Sequence, residues 1–231
     1  MEKLSSVSFF CPAYNEEKNL PELIPLVVSF LSKVSDKFEV IIINNGSFDN
    51  TRKVAEELAR KYDVIRLIHH SVNLGYGGAL KAGFKNSRYQ YIMYTDSDNQ
   101  YNVYELMPYL IFLEEYDVLS GYVVKKAVTI RRVFQSFVFN FLVKVLFFTN
   151  LKDVNCSMKI YKRNVLDLLD IKSSSAFIDA EMLIKAKRLG FKIKQFPVTH
   201  YPRLEGLASG SSPKVILMTI KDMILFRLGL L

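Results

Sequence analysis

Tyr94-Thr95-Asp96-Ser97-Asp98-Asn99-Gln100 closes a short apolar run at 89–94. A run this short, rich in aromatic and β-branched residues, reads as a buried strand. Two carboxylates then stand two residues apart, with a side-chain amide two further on. In extended chain, alternate residues share a side, so Asp96, Asp98 and Gln100 are expected to offer oxygens in one direction. Hard oxygen donors suit Mg²⁺ or Mn²⁺, which take few protein carboxylates and complete their shell with water or phosphate oxygens. Alone, Asp-x-Asp is also the pattern of an ordinary polar turn. What surrounds it decides between the two.

Upstream, strand-like runs at 7–11, 38–43 and 64–69 alternate with helical patterns. The first run is stopped by Pro12. Asn15 is placed to cap a helix, and Leu20, Leu23, Ile24, Val27, Val28 and Leu31 follow at helical spacing. Asn44-Asn45-Gly46-Ser47 turns out of the second run, and Asp49-Asn50-Thr51 opens a second helix. Asn73-Leu74-Gly75-Tyr76-Gly77-Gly78 leads into a third. This glycine-rich loop is neither a dinucleotide fingerprint after the first strand nor a P-loop. Strand–helix alternation predicts an α/β fold with a mostly parallel central sheet flanked by helices. Right-handed crossovers bring the loops at Pro12, Asn44, Gly75 and Asp96 to one rim, where such sheets bind ligands.

The remainder, from 105 onward, holds further strands at 118–122, 158–161 and 193–198 and helices at 164–169 and 177–189, the last ended by Gly190. Arg131 and Arg132 precede an apolar stretch at 133–149. Its polar interruptions and its length of ~17 residues argue against a full crossing of a bilayer. An amphipathic helix, on a membrane surface or against the domain, is expected there and again at 213–231. We read one domain over 1–231: a first half at about 1–104, a second half at about 105–212, and the terminal apolar helix at about 213–231.

Lys and Arg number 31 against 23 acidic residues, a net charge of +8. A basic balance suits an anionic membrane or a phosphorylated substrate. With no basic run of five or more, no nucleic-acid partner is expected. Cys11 and Cys156 have no metal-type spacing, and no basic-then-apolar leader opens the chain. A cytoplasmic protein, peripheral on the inner face of a membrane, is the expectation.

Taken together, Pro12-Ala13-Tyr14-Asn15-Glu16-Glu17, Asn45-Gly46-Ser47 with Asp49 and Thr51, Asn73-Leu74-Gly75 with Gly83, and Asp96 to Gln100 resemble a family 2 glycosyltransferase of the GT-A fold. Asp153 to Lys159, Phe177-Ile178-Asp179-Ala180-Glu181 and His200-Tyr201-Pro202-Arg203 extend the likeness to the polyprenyl-phosphate (dolichyl-phosphate) sugar transferases. The resemblance implies an inverting transfer of a hexose from a UDP- or GDP-linked sugar to a polyprenyl phosphate. It implies a nucleotide pocket lined by Pro12, Tyr14, Glu16, Asn45, Asp96 and Ser97, and Mg²⁺ or Mn²⁺ held by Asp96, Asp98 and Gln100. Asp98, Asp153 and Arg203 would carry the chemistry, and Arg131 and Arg132 the lipid phosphate. The chain departs from the family pattern at Asn44 and Asn45, commonly acidic, at Tyr122-Val123-Val124, where Lys125 and Lys126 come late, and at Ser209. A soluble transferase acting on a sugar hydroxyl, with Asp179 or Glu181 as base, is an alternative. So are a nucleotide-sugar-binding module without turnover and a membrane-surface scaffold.

Overall fold

The computed structural model describes residues 2–127, 129–203, 205–206 and 212–231. Ser209 and the glycine-serine loop around it lie outside the described residues, as does the side chain of Lys126. The first half runs β1 (Val7–Ala13), α1 (Leu20–Val34), β2 (Phe38–Asn45), α2 (Thr51–Lys61), β3 (Ile65–His70), α3 (Gly75–Asn86) and β4 (Tyr91–Tyr94). A 3₁₀ segment, Val103–Glu114, leads to β5 (Val118–Lys126), α4 (Ile130–Phe147), β6 (Lys159–Lys162), α5 (Arg163–Leu168), α6 (Ile178–Arg188), β7 (Ile193–His200) and α7 (Pro213–Arg227).

Among the described residues seven strands join one sheet in the order β3-β2-β1-β4-β6-β5-β7. β1, β2, β3 and β4 pair in parallel, while β6 runs antiparallel to both β4 and β5. Successive residues of β1 and β2 point into different layers. Phe9, Cys11, Val40 and Ile42 pack with α1, α2 and the 3₁₀ segment, whereas Phe10, Ile41 and Ile43 pack with α3 and α6. Strands buried on both faces read as continuous apolar runs, which is why period-2 alternation is missing from their sequences.

Two local expectations are corrected. Pro12 does not stop β1, which pairs with β2 as far as Ala13. β4 pairs with β1 only as far as Phe10, so one flank of β1 is free at Pro12, where a missing N–H costs no ladder bond. Asn15 does not cap α1. It adopts φ +59°, its side-chain oxygen accepts from Phe48 N–H at 3.0 Å, and the helix starts after Asn19.

The order of strands reverses between β1 and β4, which lie side by side and send their following loops in opposite directions round the sheet. A crevice opens at such a switch point. The loops after β1 and β2 are laced together at its rim. Glu16 N–H donates to Thr51 Oγ1 at 2.8 Å, and Asn15 N–H to Ser47 Oγ at 3.0 Å.

Candidate active site

A cavity of about 220 Å³ lies beside the loop after β4, lined among others by Asp96, Asp98, Gln100, Arg132, Asp153 and His200. The metal triplet of the sequence reading therefore does converge, though not by strand alternation. β4 ends at Tyr94, and Asn99 turns the chain with φ +58°. The turn is pinned by Gln100 N–H donating to Asp98 Oδ1 at 3.3 Å. Gln100 spends its side-chain nitrogen on the Tyr201 carbonyl at 3.0 Å, while Tyr201 N–H returns a bond to the Gln100 carbonyl at 2.9 Å. That exchange draws the segment after β7 against the Asp98 turn.

Asp96 is held from behind. Its N–H donates to Ser157 Oγ at 3.2 Å. Burial pushes its pKa up to about 7, reinforced by the nearby charges of Asp98 and Asp179 and opposed by hydrogen bonds from Ser157 and Tyr76. Burial also raises Asp98, against the pull of the Arg203 guanidinium. Glu16 is raised by burial too, with Asn19 and Arg203 pulling the other way. Arg203 ties the loops together: Nη2 donates to Glu16 Oε1 at 2.7 Å and Nη1 to Asp98 Oδ2 at 3.3 Å.

Asp153 also lines the cavity, with its Oδ1 accepting from Asn155 N–H at 3.1 Å and Asn140 Nδ2 at 3.4 Å. Asn140 belongs to α4 and also accepts from Val154 N–H at 3.0 Å. Asn140, one of the polar interruptions of the apolar stretch at 133–149, thus fastens α4 to the Asp153 loop. Of the basic pair, Arg132 lines the cavity and Arg131 is exposed away from it. Helical geometry separates adjacent residues by about 100°, so only one of two neighbours can face a given site.

The nucleotide-side residues divide. Pro12 and Ser97 meet directly, Ser97 Oγ donating to the Pro12 carbonyl at 2.7 Å, which binds the β1 and β4 loops to each other. Tyr14 lies edge-on to Phe48, ring centroids 6.0 Å apart, and Phe48 is 83% exposed. The one sequence signal for Phe48 is an apolar ring within the polar turn at 46–49. Asn45 is buried and fully engaged. Its Nδ2 donates to Asn73 Oδ1 at 3.1 Å and the Gly75 carbonyl at 3.0 Å. Its Oδ1 accepts from Leu74 N–H at 3.1 Å and lies 2.9 Å from His70 Nδ1. An amide offers two donors and two acceptor positions, so none is left over for a base in this arrangement.

Asp179 and Glu181 are not solvated helix acids. The Lys159 ammonium, fully buried, contacts Asp179 Oδ1 at 2.5 Å, and Tyr94 donates to the same oxygen. Glu181 accepts from Lys172 N–H, Ser173 N–H and Lys185 Nζ at 2.6–2.9 Å. Neither faces the cavity as a free base.

The profile described as glycosyl transferase family 2 matches residues 8–169. The glycosyltransferase AglD of Haloferax volcanii is 31% identical over 207 residues, 85% of this chain, and the chain spans only 33% of that relative's length. A dolichyl-phosphate beta-glucosyltransferase of Trichomonas vaginalis is 27% identical over 96% of this chain and 74% of its own length. The undecaprenyl-phosphate 4-deoxy-4-formamido-L-arabinose transferase of Proteus mirabilis is 29% identical over 93% of this chain and 66% of its own. Among solved structures, glucosyl-3-phosphoglycerate synthase of Mycobacterium tuberculosis, crystallised with Mn²⁺, UDP and glucosyl-3-phosphoglycerate, superposes with a TM-score of 0.73 at 19% identity. The match covers 98% of this chain and 81% of that one, a likeness of fold. With a seven-stranded α/β sheet of this topology and a family profile matched over residues 8–169, the chain belongs to the family 2 glycosyl transferases.

Proposed function

We propose that this protein moves a hexose from a nucleoside diphosphate sugar to a polyprenyl phosphate at a membrane surface. The observation that carries the reading is the joint lining of one cavity by Asp96, Asp98 and Asp153 with Arg132, at the root of a helix whose outer face is apolar. On α4, Phe134, Phe137 and Phe141 are 65%, 66% and 56% exposed. Ile130 precedes them, and α7 adds exposed Leu217, Met218 and Ile224. An aromatic and aliphatic face of this kind, with arginines at one end, suits the boundary between headgroups and acyl chains. Among the described residues no helix is long and apolar enough to cross a membrane. The named acceptors of two relatives, dolichyl and undecaprenyl phosphate, are lipids of the same chemistry.

The donor chemistry at Asp96 and Asp98 fits a divalent ion, and the guanidinium of Arg203 already stands against Asp98 as a cation. Among the described residues no cluster of three or more His, Cys, Asp or Glu forms a complete metal cage. The two carboxylates would hold Mg²⁺ or Mn²⁺ together with diphosphate oxygens, with Gln100 beside them in the cavity wall. When bound, the ion neutralises charge on the departing nucleoside diphosphate. Arg203 supplies donors to the same oxygens, the planar, two-pronged contact a guanidinium makes well. Tyr14 and exposed Phe48 offer a ring pair to the base. Asn45 shapes the pocket by holding 73–75, and reads no base itself. Arg132 holds the acceptor phosphate beside Asp153, which sits close to the reacting centre. The phosphate is already anionic, so attack needs no strong general base, in keeping with the engaged states of Asp179 and Glu181. The displacement is in-line and inverts the anomeric carbon. The protein works from the cytoplasmic face.

The test is transfer of labelled sugar from UDP- and GDP-hexoses, with Mn²⁺ or Mg²⁺, to polyprenyl phosphate in anionic vesicles and to a short water-soluble acceptor. Transfer to the vesicle lipid, lost on chelation, is the expected result. Equal transfer to a soluble sugar hydroxyl, with no binding to vesicles at low salt, overturns the lipid reading in favour of a soluble transferase.

A further inference from the structure

The segment after β7 reaches across the crevice to the loops after β1 and β4. Arg203 is its tip. Its three guanidinium nitrogens are all engaged: Nη2 on Glu16 Oε1 (2.7 Å), Nη1 on Asp98 Oδ2 (3.3 Å) and Nε on the Glu205 carbonyl (2.8 Å). The segment is fastened on both sides of that contact. Gln100 and Tyr201 exchange two hydrogen bonds, and Glu205 pairs with Lys18 at 2.9 Å. Gly206, at φ +80°, passes so close under the guanidinium that a Cβ there would lie 2.9 Å from Nη2. The guanidinium is therefore seated in a shaped notch whose two walls are carboxylates. One of those carboxylates, Asp98, is the residue to which the preceding reading assigns a divalent cation.

We propose that Arg203 is the resident cation of Asp98, and that it must give way before a divalent ion can bind there. Resting on the proposed metal site, this makes binding cooperative: metal and nucleoside diphosphate each favour the other's entry. The reason is a balance of partners. A divalent ion at Asp98 displaces Nη1, and the repulsion between two neighbouring cations works against the remaining bond to Glu16. Free metal therefore binds against the loss of a charge-assisted contact. A diphosphate changes this, because it brings new anionic oxygens to which the displaced guanidinium can turn. Metal and diphosphate then strengthen each other's binding by the same factor, as linkage requires.

The experiment measures Mn²⁺ binding by the paramagnetic resonance signal of the free ion, with the full chain, first with Mn²⁺ alone and then with UDP or GDP added. The wild type is expected to bind Mn²⁺ alone weakly, and about 10-fold more tightly with the nucleotide it accepts, a typical allosteric coupling. Arg203→Gln is expected to bind Mn²⁺ alone about 10-fold more tightly than wild type and to lose most of the enhancement by nucleotide. Gly206→Ala, which crowds the guanidinium without removing it, shifts Mn²⁺ affinity in the same direction by a smaller factor. Equal or weaker binding of Mn²⁺ alone by Arg203→Gln overturns the proposal. Asp98→Asn separates the two readings. If Mn²⁺ binding survives that change unaltered, the metal site itself is misplaced and the competition falls with it. If Asp98→Asn abolishes binding while Arg203→Gln leaves it unchanged, the site stands and only the competition is refuted.

Discussion

Replacing Lys159 by Met should unfold this protein more readily than almost any other single change behind the site. Lys159 lies on β6 with its side chain 0% exposed, and Asp179, its partner on α6, is 3% exposed. The ammonium also donates to the Cys156 carbonyl, and Tyr94 donates to the same carboxylate oxygen. Removing one member of such a pair leaves a charge in a poorly hydrated interior, at a cost of about 3–5 kcal/mol. Total stability is typically about 5–15 kcal/mol, so the loss is a large share of it. For a chain of this size each kcal/mol moves Tm by about 2–4 °C, which gives a fall of roughly 6–20 °C. Asp179→Asn should cost a similar amount, by stranding the ammonium. The double variant Lys159→Met with Asp179→Asn removes both charges and keeps an acceptor for Tyr94. It should lose at least about 2 kcal/mol less than the sum of the single losses. Urea unfolding followed by far-UV circular dichroism measures all four corners of the cycle. A single variant losing less than about 1 kcal/mol, or strictly additive losses, would refute the claim that this is a buried, mutually dependent ion pair.

Asp98→Asn should abolish transfer while the far-UV spectrum stays native; activity within a few-fold of wild type in excess metal counts against the site. Gly83 packs so tightly on β1 that a Cβ would stand 2.3 Å from the Phe10 ring, so Gly83→Ala should destabilise by about 1–3 kcal/mol in the same urea titration. The pKa of Asp96, raised from 3.8 to about 7, means the folded apo protein holds a proton that the unfolded chain has released between those values. Its contribution to stability is therefore greatest below the unfolded pKa and is lost as pH rises through about 7, whereas metal binding, which needs the carboxylate, tightens over the same range. Calorimetry of Mn²⁺ with nucleotide in buffers of different ionisation enthalpy should show proton release below about pH 7 and little above about pH 8; release that does not change across this range would contradict it. Arg132→Ala should lower transfer to lipid phosphate by about 10-fold or more, the loss of one charge-assisted contact. Arg131→Ala should act mainly on vesicle binding at low salt, and equal effects of the two would remove the distinction the structure draws between them.

Much of this was legible in the chain itself. Continuous apolar runs separated by helical periodicity announce an α/β sheet, because a strand covered on both faces has no polar side to alternate with. The Asp96-Ser97-Asp98 loop could be found only in company: alone the pair is also the pattern of a polar turn, and the strand–loop–helix alternation and the motifs around it decided the reading. Other features depend on distances between residues far apart in sequence. Asp98 and Arg203, 105 residues apart, meet only because the segment after β7 folds back over the switch point. Periodicity put Asp179 and Glu181 on a helix but could not say that β6 would bring Lys159 against the first of them. Nor could composition tell that Asn45 would spend its whole amide on the glycine loop, or that Arg132 and not Arg131 would turn to the cavity. Local pattern reports which face of an element is buried, through the burial of its apolar atoms. Which polar groups become partners is decided by the packing of those elements, since a hydrogen bond or ion pair depends on a few tenths of an ångström that no spacing along the chain encodes.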